Sequence, residues 1–258
     1  MTVTVARLYR YPVKGLSAES LERITLARGR GVPGDRQYAL ALPSVSFDGE
    51  SPHWLAKSSF LTLMRNARLA ALETRFEEAT ATVFIERNGR ELISGCVATI
   101  EGRAAIETFL YTFLDGELSG PPRLVSAPAG GIFSDHPDPL LSVIGLATID
   151  EIERAAGVPI DPLRFRANIY VAGTAPWQEF GWIGQTIAAG EARLRCLERI
   201  DRCAATTVRP GSGVRDINIP KLLEQRFGHA DCGVFASVAT AGEISIGAQV
   251  ASPANSAQ

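Results

Sequence analysis

A single thiol lies among basic side chains in the stretch RIDRCAATTVRPGSG, residues 199–213. Arg202 directly precedes Cys203, Arg199 lies four residues before it, and Arg209 follows it. Positive neighbours stabilise a thiolate and lower the pKa of the thiol, and a thiolate is both a nucleophile and a soft metal ligand. The alternative is a cysteine kept for packing, because free cysteine is among the most buried residue types. The arginines favour a functional Cys203.

A second candidate cluster is the segment PLRFRANI, residues 162–169. Arg164 and Arg166 would point to the same side of an extended segment, so their guanidinium groups could converge on a phosphate or carboxylate. Asn168 would continue that face. Two surface arginines on a solvated strand edge are an equal alternative on spacing alone.

Three shorter segments add candidate binding residues. Lys14 follows the turn YPV, and Arg36 follows Gly34 and Asp35, at places where strands are expected to end and ligand-binding side chains often lie. The loop FSDHPDP, residues 133–139, carries a histidine and two carboxylates between prolines. This loop could hold a polar ligand or cap the following element.

Composition narrows the class of protein. The 258 residues are 46% hydrophobic and 21% charged, with a net charge of −2, which predicts one large or two modest globular domains and no nucleic-acid or anionic-membrane partner. There is no run of about 18 apolar residues and no signal-peptide pattern, so we expect no membrane span and a cytoplasmic location. The scattered cysteines are therefore expected to be reduced. The widely spaced His53, His136 and His229 give little support for a zinc site.

Short hydrophobic patterns predict a mainly β fold with some α (α+β), arranged as a barrel or sandwich. The predicted helices are 104–114, 147–156 and 220–226. Strands are predicted at 3–9, 21–26, 38–42, 81–86, 91–93, 168–172, 185–188, 192–196, 204–208, 233–238 and 243–246. The glycine- and proline-rich stretch 115–122 predicts a domain boundary. We expect one domain over 1–118, a second over 119–252 and a flexible tail over 253–258.

Several residue strings together resemble a known family. LYRYPVKG and GVPGDRQYAL resemble the opening of an N-terminal module, while RFRANIYVAG, DRCAATTVRPGSG and GEISIGAQV follow in order. Over residues 3–250 the chain is similar to MOSC-domain proteins with an N-terminal MOSC β-barrel module. That group includes the mitochondrial amidoxime-reducing component and the C-terminal part of molybdenum cofactor sulfurase.

The resemblance implies two β-barrel modules with a molybdenum cofactor (Mo-molybdopterin) at their junction. By matching positions, Cys203 would be the catalytic residue and molybdenum ligand. The other implied cofactor contacts are Arg166 and Asn168 at the pterin phosphate, Arg202 and Asp201 beside the cysteine, and Lys14 and Arg36 from the N-terminal module. Three positions depart from the reductases of the family: Gly15 replaces a serine, Asp201 a small polar residue, and Phe235 a tyrosine. These changes point to a different substrate rather than a different fold.

Three functions remain open at this level. The first is a molybdenum-cofactor oxidoreductase that reduces an N-oxygenated small molecule. The chain has no iron–sulfur, flavin or nicotinamide motif, so its electrons would come from a separate redox protein. The second is a sulfur carrier with a persulfide on Cys203, and the third is a non-catalytic cofactor-binding module.

Overall fold

The computed structural model describes residues 2–45, 54–128 and 131–252 of the chain. Three α-helices are described: α1 Ile100–Phe113, α2 Leu146–Ala156 and α3 Ile219–Phe227. The strands described are β1 Thr4–Arg10, β2 Glu19–Leu21, β3 Arg23–Leu26, β4 Tyr38–Ala41, β5 Glu73–Glu77, β6 Thr82–Arg87, β7 Arg90–Cys96, β8 Arg123–Ser126, β9 Leu141–Gly145, β10 Ile169–Ala172, β11 Thr186–Ala189, β12 Ala192–Asp201, β13 Asp231–Thr240, β14 Gly242–Ser245 and β15 Val250–Ala251. The predicted class, mainly β with some α, is confirmed. The predicted tail, 253–258, lies outside the described residues.

The largest sheet has eight strands in the order β15-β11-β12-β13-β9-β10-β1-β2. Its neighbours are antiparallel except for the parallel pair β9 and β10. Strand β1, from the start of the chain, pairs with β10, with Leu8 opposite Ile169. Strand β3 likewise pairs with β14 near the end of the chain. Strands β1 and β3, both within the first 26 residues, are thus hydrogen-bonded to strands of the C-terminal half.

Burial along these strands follows their sequence. Strand β12, ARLRCLERID, buries alternate residues over its first half, as expected when one face of a sheet packs on a core. Strand β9, LSVIG, is buried throughout and pairs on both sides. One hydrophobic core combines Val5 and Leu8 of β1 with Leu194 of β12 and Val234 of β13. Burial of this shared core stabilises the contact between the two halves of the chain.

The remaining strands form a smaller assembly built from the N-terminal half. Strands β5, β6 and β7 form an antiparallel sheet, and β4 pairs with β8. The predicted Asn88-Gly89 turn between β6 and β7 is confirmed, with φ of 54° and 72°, as a type I′ turn requires. Helix α1 crosses β7 at very short range, because a Cβ on Gly95 would lie 2.3 Å from the carbonyl oxygen of Gly102. Only glycine permits this approach.

The helix boundaries have local causes. The Thr99 hydroxyl accepts the Gly102 N–H at 3.1 Å and caps α1, so α1 begins four residues before the predicted start. Helix α2 ends at Gly157 and α3 at Gly228, both in the left-handed region with φ of 69° and 76°, the usual C-terminal signal. The three predicted helices are confirmed.

The predicted strand at 204–208 is wrong. Ala204–Thr207 forms a short 3-10 helix, although its threonines favour strands on propensity. The Thr206 hydroxyl donates to the Cys203 carbonyl at 2.9 Å, and the Thr207 hydroxyl donates to the Ala204 carbonyl at 2.6 Å. Such local side-chain bonds compete with a strand ladder.

The extended backbone that would place Arg164 and Arg166 on one side is not present. Pro162–Phe165 forms a 3-10 helix capped by the Asp161 carboxylate, and Arg166 is left-handed with φ of 53°. The two arginines therefore do not share a strand face.

No helix in the described part of the chain is long and apolar enough to cross a bilayer.

Candidate functional site

All seven sequence-predicted site residues line one cleft of about 450 Å³, which we call the central cleft. It lies where the N-terminal segments meet the large sheet. The predicted residues in its walls are Lys14, Arg36, Arg166, Asn168, Asp201, Arg202 and Cys203. Residues from both ends of the sequence thus share one surface; their roles toward a ligand stay predictions.

Cys203 occupies the corner between β12 and the 3-10 helix Ala204–Thr207. Its thiol is free and half-buried. The backbone carbonyl of Cys203 accepts the Thr206 N–H at 3.1 Å as well as the Thr206 hydroxyl. The backbone that carries the thiol is therefore fixed on both sides, by the strand before it and the helical turn after it.

Arg202 directs its guanidinium into the protein. Nε donates to the Cys232 carbonyl at 2.8 Å, Nη1 donates to the Phe165 carbonyl at 2.8 Å, and Nη2 also donates to Cys232. The residue is only 8% exposed. Arg202 thus ties the segment before Cys203 to β13 and to the 3-10 helix Pro162–Phe165.

Arg36 and Arg166 lie together against one aromatic ring. Their guanidinium carbons are 4.8 Å and 4.3 Å from the centre of the Tyr11 ring, a cation–π arrangement. Arg36 Nη2 donates to the Arg166 carbonyl at 3.0 Å, and Arg166 Nη1 donates to the Leu16 carbonyl at 2.7 Å. Among the described residues Nε and Nη2 of Arg166 have no hydrogen-bond partner. Arg166 therefore keeps donors free for a ligand.

The pKa values of Arg36 and Arg166 are shifted in opposite directions. Burial, with the charge of Arg36, lowers the pKa of Arg166 to about 10. Burial alone would also lower the pKa of Arg36, but the adjacent Asp35 carboxylate outweighs it and the pKa of Arg36 is raised. Both groups remain cationic near neutral pH. An anion in the cleft would offset the burial cost that Arg166 carries.

Lys14 extends from the N-terminal segment into the same cleft. Its ammonium donates to the Phe133 carbonyl at 2.9 Å and forms an ion pair with Asp135. Burial lowers the pKa of Lys14 despite this partner. Burial alone would raise the pKa of the Asp135 carboxyl. The charge and hydrogen bond of Lys14 outweigh burial, so the pKa of Asp135 is lowered.

Asn168 and Asp201 differ in exposure. Asn168 is 1% exposed, and its side chain joins neighbouring segments of the large sheet. Its Oδ1 accepts the Ser142 N–H at 3.1 Å, and its Nδ2 donates to the Tyr9 carbonyl at 3.2 Å. Asp201 is exposed at the end of β12 and forms no ion pair with a described residue. Asn168 shapes the cleft, whereas Asp201 adds an open negative charge.

The guanidinium of Arg164 is hydrogen-bonded within the protein. Its Nη2 donates to both oxygens of the Asp216 carboxylate at 2.7 Å, and its Nη1 donates to the Thr207 carbonyl at 3.2 Å. These bonds tie the 3-10 helix Pro162–Phe165 to the one that follows Cys203.

The cleft also contains residues to which the sequence analysis gave no definite role. His136 from the loop before β9 lies beside Phe235 of β13, with ring centres 5.9 Å apart. The His136 Nε2 is 3.7 Å from the Glu198 carboxylate of β12. The histidine was visible in the sequence as part of a proline-bounded loop. Glu198 had no signal, because it is one charged residue among several in a strand.

The described residues contain no group of three or more His, Cys, Asp or Glu side chains that could hold a metal ion; His53 lies outside the described residues. Cys203 is thus a soft ligand without protein co-ligands in the described ranges. A metal bound there would have to bring most of its other ligands with it.

A second cavity of about 440 Å³ adjoins the central cleft. Gly15, Leu63, Arg164 and Arg166 line both spaces, while residues such as Leu72 line only the second. Arg166 is therefore part of a wall common to two cavities.

Several solved structures resemble this chain at low identity. The YUAD protein from Bacillus subtilis is 14% identical with a TM-score of 0.46, over 97% of this chain and 94% of that one. YiiM from Geobacillus stearothermophilus is 19% identical with a TM-score of 0.35, over 43% of this chain and 53% of that one. A search of curated proteins found no match.

Family sequence patterns match almost the whole chain. The MOSC N-terminal beta barrel domain matches residues 2–115, and the MOSC domain matches residues 132–251. The first contributes Lys14 and Arg36 to the central cleft, and the second contributes Cys203 and its arginine neighbours. The chain belongs to the MOSC-domain proteins that carry an N-terminal MOSC beta barrel domain.

Proposed function

We propose that the central cleft binds Mo-molybdopterin and that the protein is an oxidoreductase that reduces N-oxygenated small molecules. The observation that carries the proposal is the meeting of one free thiol with the cationic groups of Lys14, Arg36 and Arg166 in a single cleft. A soft sulfur suits the metal, and guanidinium donors suit a phosphate.

The residues present fit this cofactor. Cys203 lacks protein co-ligands among the described residues, as expected where a metal arrives with sulfur ligands of its own. Arg166 retains unpaired donors, and the buried Thr62 hydroxyl in the cleft wall has no partner in the described part of the chain. Buried polar groups without partners are costly, and a polar ligand would relieve that cost.

The chain's own residues have separable roles in this proposal. Cys203 would ligate molybdenum, and Arg166 would donate to the pterin phosphate, with Lys14 and Arg36 adding positive charge. Asn168 and Arg202 position these groups through their backbone contacts. When bound, the cofactor would supply the two-electron chemistry. The overall reaction breaks the N–O bond: R–NH–OH, two protons and two electrons give R–NH₂ and water.

A separate redox protein would supply the electrons, and a small molecule would be the substrate. The cytoplasmic location expected from the sequence belongs to the same proposal. A sulfur carrier is the second candidate, because the half-buried, unpaired Cys203 thiol would also suit a persulfide.

The deciding test is the molybdenum content of protein purified from a host that synthesises the cofactor. We expect near-stoichiometric molybdenum in the wild type and none in Cys203→Ser, with unchanged circular dichroism. Cys96→Ser is the matched control, because Cys96 is also free and half-buried but lies outside the central cleft; it should retain the metal. Metal-free wild type with a persulfide on Cys203 would replace the oxidoreductase proposal by the sulfur carrier.

A further inference from the structure

His136 is held rigidly at the central cleft by its own loop. The Ser134 hydroxyl accepts the His136 N–H at 3.2 Å and donates to the His136 carbonyl. Pro137 and Pro139 follow and restrict the backbone further. The ring is about one quarter exposed, with 25% of the side-chain surface accessible, so a ligand can reach it.

One hydrogen bond to the His136 ring indicates which nitrogen carries the proton. Nδ1 accepts the backbone N–H of Asp138 at 2.9 Å. A ring nitrogen that accepts a hydrogen bond bears a lone pair, so the neutral imidazole is protonated at Nε2. The Nε2–H is therefore the donor that this side chain presents to the cleft.

The Nε2–H has an acceptor close by but not within bonding distance. Glu198 Oε1 is 3.7 Å from Nε2, beyond a normal hydrogen bond. Phe235 borders the same place, and the carboxylate of Asp138 lies 3.9 Å from Nδ1. The other charged cleft residues on the elements nearby are Asp135, Asp201 and Arg199. A donor and an acceptor thus stand side by side next to an aromatic face.

We propose that His136 and Glu198 are positioning residues for the N–OH group of the substrate. This inference rests on the proposed function. An N-hydroxyl group presents an oxygen lone pair and an O–H on one atom, so the oxygen accepts from His136 Nε2–H while its proton is donated to Glu198. Phe235 packs on the flat body of the substrate. The pair distinguishes an N-hydroxylated compound from its reduced product, which lacks that oxygen.

The test compares binding of N-hydroxybenzamide and benzamide to the purified protein by calorimetry, without reductant, so that no turnover occurs. We expect the wild type to bind N-hydroxybenzamide more tightly than benzamide. His136→Leu should reduce this preference about three- to tenfold, the effect expected for the loss of one hydrogen bond. His136→Gln keeps a donor near the Nε2 position and should restore most of it. Glu198→Gln should reduce the preference by a similar factor.

His229→Leu is the matched control. His229 Nδ1 also accepts a backbone N–H two residues ahead, from Asp231 at 3.2 Å, but His229 lies outside the central cleft; its replacement should leave the preference unchanged. Long-range ¹⁵N spectra of the wild type should show the His136 proton on Nε2. An unchanged preference in His136→Leu, or a proton found on Nδ1, would overturn the inference.

The proposed function can be overturned independently of this inference. Its test is molybdenum content, whereas the binding preference depends on His136 and Glu198, which belong to the chain whether or not the cofactor is bound. Loaded wild type with no His136 effect overturns only the positioning role. Metal-free wild type that keeps the His136-dependent preference overturns only the cofactor.

Discussion

Two arginines of the central cleft illustrate how the direction of a side chain decides its role. Arg166 and Arg202 both belong to the arginine-rich segments of the sequence. Arg166 keeps Nε and Nη2 free in the cleft, whereas all three nitrogens of the Arg202 guanidinium donate to backbone carbonyls. Their replacement should therefore have different consequences.

Arg166→Ala should weaken cofactor binding by about 1.5–3 kcal/mol, the value of a hydrogen bond to a charged group, with a small loss of stability. Molybdenum content after dialysis at increasing dilution measures the first effect. Arg75→Ala is the control, because Arg75 stacks on Phe84 and lies outside the central cleft. Equal retention of metal in Arg166→Ala and wild type would contradict a phosphate role.

Arg202→Met should lower the free energy of unfolding by about 2–4 kcal/mol, because two buried carbonyls lose their donors. Urea unfolding of the metal-free protein measures this directly. Wild-type stability combined with loss of the metal would show instead that Arg202 acts on the cofactor.

At the scale of elements, the contact between α1 and β7 depends on two glycines. A Cβ on Gly95 would lie 2.3 Å from the Gly102 carbonyl oxygen, and one on Gly102 would lie 2.2 Å from the Cys96 carbonyl oxygen. Both obstacles are backbone atoms, so no side-chain rotation can relieve the overlap.

We expect Gly95→Ala to destabilise the protein by about 3 kcal/mol or more, because the helix must move away from the strand. Thermal unfolding followed by circular dichroism would measure it. Gly89→Ala is the comparison: a Cβ added there would meet no described atom within 4 Å, and only the φ of 72° opposes alanine. That variant should lose about 1–2 kcal/mol. Similar losses in the two variants would contradict the backbone contact.

Elements with a clear period could be predicted from sequence, and those defined by local bonds or partners could not. The alternating pattern predicted the first half of β12, residues 192–196, and the Asn88-Gly89 pair predicted the turn between β6 and β7. The threonines of 204–207 led to a wrong strand prediction, because their hydroxyls donate to nearby carbonyls and stabilise a 3-10 helix. Strand β9 was missed because an apolar run buried on both faces carries no period.

The same distinction applies to the site. Spacing and family resemblance were enough to name seven residues that the fold brings to one cleft. The sequence could not show that the donors of Arg202 face inward, or that Glu198 lies beside His136. Those facts depend on the pairing of β12 with β13 and on the loop before β9.

For the whole molecule, the Lys14–Asp135 pair links stability to pH. The folded-state pKa of the Asp135 carboxyl is lowered, so its contribution is present above the unfolded value of about 4 and is lost as pH falls through the folded value. Burial lowers the pKa of Lys14, so the charged lysine depends on its partner.

Asp135→Asn should therefore be less stable than wild type by about 1 kcal/mol at about pH 7, and the difference should shrink below about pH 4. Urea unfolding at neutral, mildly acidic and strongly acidic pH tests this prediction. Asp138→Asn is the control, because Asp138 is exposed and its described ion pair is with His136 rather than with a lysine. A difference that is constant over this range would contradict the ion pair as its source.

The pairing of β1 with β10 affects how the gene can be divided. A cut in the stretch between the two matched domains, residues 116–131, would give a C-terminal fragment without β1 and β3. One side of β10 would then present unpaired N–H and C=O groups, a template for aggregation. Supplying a peptide of residues 2–27 in trans should rescue that fragment, because it restores both missing strands. The two modules are therefore expected to be inherited, exchanged and engineered as one unit.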